Sequence, residues 1–289
     1  MNNLMTLTVL IENSAPEGSK LFAEHGLSFF VETGRTKFIF DCGHTGAAVD
    51  NAKILGVDLS EIKIVALSHS HYDHAAGFKK FLSVAPIEKV FTGENFWEEK
   101  YSDEKYRGCG FDEKFLAEKN IAQIVCRDVL KIDEDAWLVG NFKRRYDFET
   151  IPKKFLRARF KSGGTVGLLS TSKNFSGSHT LERHFVPDDF SDEIVLVLRG
   201  QDGLTIVAAC AHRGILNIVA SVSEKFSAPI VSVIGGLHLS GATDERISRT
   251  LDELKILGVK KILPCHCSGE NFMNRCDEKI LAGSVIKIK

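Results

Sequence analysis

Three histidines and one aspartate stand within six positions of one segment, in the sequence SHSHYDH. They are His69, His71, Asp73 and His74, and they follow the largely apolar residues 62–67 directly. If the chain stays extended after that run, His69 and His71 point to the same side, and Asp73 and His74 begin the next turn. Histidine offers a neutral nitrogen ligand near pH 7, and aspartate adds an oxygen whose charge offsets that of a metal ion. The spacing therefore predicts a metal-binding loop rather than a polar loop of hydrogen-bonded histidines.

Other histidines also follow apolar runs. His212 follows TIVAAC, His238 follows VSVIGGL and His266 follows KKILPC. Ligands of layered α/β proteins collect outside the carboxyl ends of strands, so these imidazoles converge if the runs are strands of one sheet system. We expect His212 and His266 to be metal ligands, whereas His238 is a ligand, a substrate contact or a structural residue. The remaining histidines are expected to lie in loops or behind the ligands; they are His25, His44, His179 and His184.

The elements that must position these residues can be read from hydrophobic patterning. Short runs rich in Val, Ile and Phe predict strands at 7–12, 27–33, 36–41, 62–68, 193–200, 203–210, 229–236 and 260–265. Helical patterns lie at 45–57, 214–226 and 243–259, the last with Thr243 as a candidate N-cap and Gly258 as a stop. Residues 95–160 are charged, aromatic and weakly periodic. We interpret them as an insertion that covers the site, with a solvated surface excursion as the alternative.

Composition narrows the function further. The chain has 289 residues, with 37 basic against 38 acidic side chains, a balance that favours neither nucleic acid nor an anionic membrane as a partner. The basic stretch 153–161 keeps a nuclease role open, although such a stretch is more often a solvated face. The first 18 residues show no basic leader and no long apolar run, so we expect a cytoplasmic protein. Seven cysteines, an odd number, argue against a disulfide framework.

The metal loop, together with FIFDCG before it, resembles the metallo-β-lactamase superfamily. A closer resemblance is to the branch of dihydropterin-ribofuranosylaminobenzene phosphate synthases and uncharacterised metal-dependent hydrolases. That likeness rests on ENS (12–14), EHGLS (24–28), CAHRGILN (210–217), GGLHL (235–239) and PCHCSG (264–269). It implies one α+β domain over residues 1–289, an αββα sandwich in which two mixed sheets face each other with helices outside.

The resemblance also implies a pair of divalent transition metal ions, most commonly Zn²⁺, with iron or manganese in some members. His69, His71 and His212 would hold the first ion, and Asp73, His74 and His266 the second. A metal-bound hydroxide would then attack a small ester, lactone or phosphoester. Asp73 would accept the proton, and His238 would steady the developing charge or the leaving group.

Several roles stay open at this point. Asp41, which ends FIFD, either orients a ligand histidine or forms a simple turn. Many superfamily members have a bridging aspartate where this chain has Ala-Cys, so Cys210 is either a thiolate ligand, which favours zinc, or a buried thiol. Arg213 and Ser268 are candidates to bind the substrate, Arg213 because a guanidinium suits phosphate and carboxylate groups.

Three functions are consistent with these residues. The first is metal-dependent hydrolysis of a small molecule. The second is a pterin-condensing transferase of the methanopterin-pathway type, which depends on the branch resemblance alone. The third is a metal-binding module without catalysis. The oligomeric state is left open by the sequence.

Overall fold

The computed structural model describes residues 5–160, 183–276 and 278–288. Its strands are Met5–Ile11 (β1), Ser28–Glu32 (β2), Lys37–Phe40 (β3), Ile64–Ala66 (β4), Lys89–Gly93 (β5), Lys100–Ser102 (β6), Lys105–Tyr106 (β7), Ala122–Cys126 (β8), Val129–Asp133 (β9), Ala136–Val139 (β10), Phe155–Phe160 (β11), Arg183–Pro187 (β12), Val195–Arg199 (β13), Leu204–Ala208 (β14), Ile230–Gly236 (β15), Lys261–Cys265 (β16) and Val285–Ile288 (β17). Its helices are Ala47–Ile54 (α1), Tyr72–Ala75 (α2), Phe78–Phe81 (α3), Glu113–Glu118 (α4), Ile215–Phe226 (α5), Asp244–Ile256 (α6) and Glu270–Met273 (α7), with a 3-10 turn at His266–Ser268.

Two large sheets form the centre of the fold. The first has seven strands in the order β17-β1-β2-β3-β4-β5-β8, and the second has six in the order β16-β15-β14-β13-β10-β9. Each sheet is mixed, because β3, β4, β5 and β8 pair in parallel in the first, and β14, β15 and β16 pair in parallel in the second. The eight predicted strands and three predicted helices are present with slightly shifted ends. In α6 the Thr243 side chain accepts a hydrogen bond from the Arg246 N–H, as an N-cap does.

The buried side chains divide into three layers that explain the stacking. One apolar cluster joins the facing sides of the two sheets, from β1 and β2 across to β13 and β14. A second lies between the first sheet and α1 to α4, and a third between the second sheet and α5 to α7. The strand β14 is buried along its whole length, because the other sheet covers one face and the helices cover the other. This arrangement confirms the expected αββα sandwich.

The region 95–160 differs from the insertion that the sequence indicated. Its strand β8 extends the first sheet, and β9 and β10 extend the second. Only β6, β7 and β11 leave these sheets, and with β12 they form a small antiparallel sheet in the order β12-β11-β6-β7. The patterning of these strands was hidden because they are short and carry charged or partly exposed residues.

The described helices include none long and apolar enough to cross a membrane.

The parallel strands place the predicted site at one edge of the sandwich. β3 and β4 end there with Asp41 and the SHSHYDH loop, and β14, β15 and β16 end there with the segments that carry His212, His238 and His266. His179 lies outside the described residues.

Candidate metal centre

The SHSHYDH loop turns from β4 into the short helix α2. His71 is the N-cap residue of α2, so Asp73 and His74 lie in its first turn. His69 and His74 are fully buried, and His71 and Asp73 nearly so. After the loop, a Cβ atom on Gly77 would come within 2.1 Å of the Cys42 carbonyl oxygen. Glycine is needed there because the chain after α2 packs directly against the end of β3.

His69, His71 and His212 form a first group of donor atoms. One ligand atom from each of them lies within 4.8 Å of the others. His69 Nε2 is 3.1 Å from His71 Nδ1. Within the described part of the chain, His71 Nε2 and both ring nitrogens of His212 are buried and have no hydrogen-bond partner. Leaving such atoms unpaired costs about 1–3 kcal/mol each, and a cation bound to one nitrogen of His212 would offset part of that cost.

A second group surrounds the carboxylate of Asp73. Its Oδ2 atom is 3.2 Å from His25 Nε2, 3.5 Å from His266 Nε2 and 3.6 Å from His74 Nε2. Cys210 Sγ is 3.2 Å from the same nitrogen of His74. Tetrahedral zinc with bonds of about 2.0–2.3 Å separates neighbouring donor atoms by roughly 3.3–3.8 Å. The distances from Asp73 Oδ2 to His266 and His74 lie in this range, and the donor atoms of His25, Asp73 and His266 lie within 4.8 Å of one another.

Two cysteines lie beside this second group. Cys210 is buried, and Cys267 is half-buried and accepts a hydrogen bond from the His238 N–H at 3.3 Å. The two sulfurs and a nitrogen of His266 lie within 4.8 Å of one another. Burial raises the pKa of the Cys210 thiol well above its ordinary value, and only a nearby cation would favour the thiolate. Both cysteines line the cavity into which this group faces.

Most of the clustered imidazoles are neutral. Burial lowers the pKa of His71 to about 3 and that of His266 to about 4, and it holds His69 and His212 well below the ordinary range. Neutral imidazole is the form that binds metal ions. His74 differs because the carboxylates of Asp73 and Asp41 outweigh burial and raise its pKa to about 9. His69, His71, His212 and His266 are thus neutral before any metal arrives, whereas His74 must give up a proton to bind one.

Asp41 connects β3 to the metal loop. One carboxylate oxygen accepts a hydrogen bond from the Ser68 N–H at 2.7 Å. The other accepts from the Ser68 hydroxyl at 2.7 Å and lies 2.8 Å from His74 Nδ1. This leaves His74 Nε2 facing the second donor group. The contact is the one expected of a carboxylate that orients a metal-binding imidazole.

Two further buried carboxylates hold the backbone at the predicted ligands. Glu193 accepts from the N–H of His212 at 2.7 Å, and Glu12 accepts from the N–H of His266 at 2.7 Å. Asn13 completes the second contact, since its Oδ1 is 2.9 Å from His266 Nδ1. Sequence reasoning missed these residues as parts of the site. Glu12 and Asn13 belong to ENS (12–14), which indicated only the family likeness, and no sequence pattern pointed to Glu193.

The backbone at the strand ends is strained. Asp41, His238 and His266 have φ values of +60°, +51° and +53°, and Ala211, just before His212, has +53°. Non-glycine residues in this region cost about 1–3 kcal/mol and persist where the surroundings hold them in place. The carboxylate contacts at His212 and His266 supply that support.

Most of the donor residues line a cavity of about 230 Å³; they are His71, Asp73, Cys210, His212 and His266. Its walls include the rings of His25, Tyr72, Phe155 and His238. The basic residues Arg107 and Lys154 also line it; Arg107 directly follows the small sheet's strand β7, and Lys154 directly precedes its strand β11. Burial, with Lys154 and Arg246 nearby, lowers the pKa of His238 to about 4.

The structure corrects two of the residues expected to bind substrate. The Arg213 guanidinium donates to the main-chain oxygens of Asp189 at 2.8 Å and Phe142 at 2.6 Å, and it does not line the cavity. Ser268 is fully buried, where its hydroxyl accepts from the Leu237 N–H and lies 3.3 Å from the Gly235 oxygen. Both side chains are used to hold loops together.

The other described histidines differ in whether they contact the donor groups. His25 was expected in a loop or behind the ligands; it lies between β1 and β2, contacts Asp73, and stacks its ring on that of His266 with centroids 4.9 Å apart. His44 is exposed and packs edge-on against Tyr72. His184 is exposed on β12, away from the donor groups. EHGLS (24–28) contains His25 but indicated only the family likeness, because the contact of His25 depends on how residues 12–27 cross the end of the sheet.

Comparisons with known proteins agree with this geometry. The metallo-beta-lactamase superfamily model matches residues 22–93, which include the SHSHYDH loop. The chain is 32% identical to the 7,8-dihydropterin-6-methyl-4-(beta-D-ribofuranosyl)-aminobenzene-5'-phosphate synthase of Methanocaldococcus jannaschii, over 96% of this chain and 95% of that protein. It is 27% identical to an uncharacterised protein of the same organism, over 94% of each. A crystal structure described as a metal-dependent hydrolase of the beta-lactamase superfamily superposes with a TM-score of 0.77, at 27% identity and 99% coverage of both chains.

Proposed function

Because this chain belongs to the metallo-β-lactamase superfamily, we propose that it is a metal-dependent hydrolase of a small phosphoester, ester or lactone. The observation that carries the proposal is the set of buried imidazole nitrogens of His71, His212 and His266, unpaired among the described residues, which border one cavity with a carboxylate. Burying polar nitrogens without hydrogen bonds costs free energy unless a cation binds them, and packing alone does not explain why several of them lie together.

We assign two ions to the two donor groups. His69, His71 and His212 hold the first. Asp73, His74 and His266 hold the second, with Cys210 as a further ligand. A thiolate among nitrogen and oxygen donors favours Zn²⁺ over manganese, and iron is the remaining candidate. When bound, the metal ions lower the pKa of water and polarise the bond to be broken.

Asp73 and His25 provide a path for the proton. Asp73 Oδ2 faces the cavity and can accept a proton released there. His25 Nε2 lies 3.2 Å away, and the His25 side chain is 58% exposed, so it can pass that proton to solvent. His238, neutral at pH 7, lies across the cavity and can hydrogen-bond the leaving group.

The charge of the cavity wall favours an anionic substrate. Apart from the metal donors, Arg107 and Lys154 add two positive charges next to the small sheet, and Asp103, which also lines the cavity, adds one negative charge. A phosphate group would meet both basic residues, while the rings of Tyr72 and Phe155 would contact an apolar or aromatic part. Among the three substrate classes we therefore favour the phosphoester.

Metal analysis and a ligand variant test this function. Purified protein should carry one to two transition metal ions per chain by elemental analysis, and His71→Ala should abolish hydrolysis of a phosphoester panel. His184→Ala is the matched control, because it removes an exposed histidine from β12 and should leave metal content and rate unchanged. Protein that carries only trace metal after careful purification would refute the proposal.

A second candidate function is condensation of a pterin with an aminobenzene ribofuranosyl phosphate. It is favoured by the 32% identity, over nearly the whole chain, to the synthase of M. jannaschii. The same cavity would then exclude water and admit a carbon or nitrogen nucleophile, which would displace a leaving group such as pyrophosphate from the pterin as the new bond forms. Reaction in ¹⁸O-labelled water distinguishes the two, since hydrolysis places the label in a product and condensation forms a coupled pterin without it.

A further inference from the structure

We propose that Lys100, in the small sheet, is a positioning residue that fixes the first group of metal donors. The inference rests on the metal centre proposed above. Lys100 lies in β6, and its side chain is 1% exposed, which is rare for lysine. Nothing in the sequence pattern marks it, because it stands in a charged, weakly periodic stretch.

The ammonium group of Lys100 is paired with two buried carboxylates. Nζ lies 2.8 Å from Asp192 Oδ1 and 3.0 Å from Asp188 Oδ1. Both aspartates belong to the turn that leads from β12 into β13. A lysine of the small sheet thus holds a turn of the second large sheet.

Asp192 passes this contact on to the metal loop. Its other oxygen, Oδ2, accepts hydrogen bonds from the Ser70 N–H at 2.9 Å and the Ser70 hydroxyl at 3.1 Å. Ser70 stands between His69 and His71, so fixing its peptide group fixes the direction in which both imidazoles point. The two oxygens of one carboxylate therefore link Lys100 to two ligands.

A second branch reaches the third ligand. The Phe190 N–H donates to Asp188 at 2.9 Å, which sets the turn that carries the Phe190 ring. That ring stacks on His212 with centroids 3.8 Å apart and an angle of 12°, and Lys100 Nζ lies 5.2 Å from its centre. Both branches from Lys100 thus end on His69, His71 and His212 and not on the Asp73 group.

The competing explanation is a buried ion pair that serves stability alone. Removing one partner of such a pair is strongly destabilising wherever it lies. A positioning role predicts more, namely a change at one metal site that a loss of stability does not produce. The two explanations are separated by measuring metal binding and unfolding in the same variants.

The experiment compares Lys100→Met with Lys225→Met. Lys225 is 17% exposed at the end of α5, is paired with Asp128, and contacts no donor residue within the described ranges. Metal-free protein is titrated with Co²⁺ while the visible absorption is recorded, and its unfolding by urea is measured separately. For Lys100→Met we expect one of the two ions to bind about 10–100-fold more weakly, with altered d–d bands for that ion only. Lys225→Met should bind both ions as the wild type does.

Asp192→Asn provides the second variant if Lys100→Met does not fold. The amide keeps the shape of the carboxylate but has one acceptor oxygen, so its NH₂ group faces either Lys100 or the Ser70 donors. The same selective loss at one ion is expected. Wild-type Co²⁺ affinity and spectrum in a folded Lys100→Met or Asp192→Asn protein would overturn the positioning role. Wild-type protein that binds no Co²⁺ would instead contradict the metal centre itself.

Discussion

Replacing Asp41 by asparagine isolates the contribution of one buried carboxylate to both stability and metal binding. Asp41 is fully buried and accepts three hydrogen bonds, two from Ser68 and one involving His74. Asparagine has the same shape and tolerates the φ of +60° at this position, so no backbone strain is added. Its single carbonyl oxygen can serve the Ser68 hydroxyl and His74, but its NH₂ group then faces the Ser68 N–H. Losing one bond to a charged acceptor costs about 1.5–3 kcal/mol, and the unsatisfied buried donors cost about 1–3 kcal/mol more.

We therefore expect the free energy of unfolding of metal-free Asp41→Asn to fall by about 3–5 kcal/mol. The second metal ion should bind about 10–100-fold more weakly, because His74 loses the charge that orients it. Urea denaturation and Co²⁺ titration measure the two effects. Asp112→Asn is the control, since Asp112 is the exposed N-cap of α4 and asparagine caps a helix equally well. An Asp41→Asn protein that unfolds at the wild-type urea concentration would show that the carboxylate does not stabilise the SHSHYDH loop.

Two further predictions address the thiolate and a buried acid. Co²⁺-loaded protein should show thiolate charge-transfer absorption in the near ultraviolet, and Cys210→Ser should remove it. Cys276→Ser, which changes a cysteine outside the donor groups, should retain it. Equal absorption in both variants would exclude Cys210 as a ligand. Burial raises the pKa of Glu149 from 4.5 to about 7. The contribution of Glu149 to the free energy of unfolding is therefore complete below pH 4.5, and about 3 kcal/mol of it is lost as the pH rises through 7. The stability advantage of wild type over Glu149→Gln should therefore shrink between pH 5 and pH 8 in urea unfolding, and a pH-independent difference would contradict the raised pKa.

The sequence was most informative where the pattern is local. Strands such as β14 and β15 are short, continuous apolar runs between turn residues, and α6 has its own capping residue, so each could be found without knowing its partners. The SHSHYDH loop is likewise complete within seven positions. Since parallel strands end at a common edge, the sequence order also indicated that His212 and His266 lie together, whereas their proximity to that loop depends on how the two sheets stack.

The strands of the region 95–160 could not be assigned this way. Val129–Asp133 has no fully buried position and Lys105–Tyr106 is exposed, so neither shows a buried period. They form because neighbouring strands offer them hydrogen bonds. Tertiary pairing, rather than hydrophobic alternation, decided their conformation.

What the sequence determined by itself was therefore the class of fold, the family and the candidate donor residues carried on strand ends. Tertiary structure alone decided which polar groups support them. Glu12 meets the His266 N–H across 254 positions, and Asp192 meets Ser70 across 122. Arg213 and Ser268 do not line the cavity for the same reason. Both form hydrogen bonds with main-chain groups of segments that are distant in sequence. A residue's type sets which bonds it can make, but only the folded chain sets which partners are within reach.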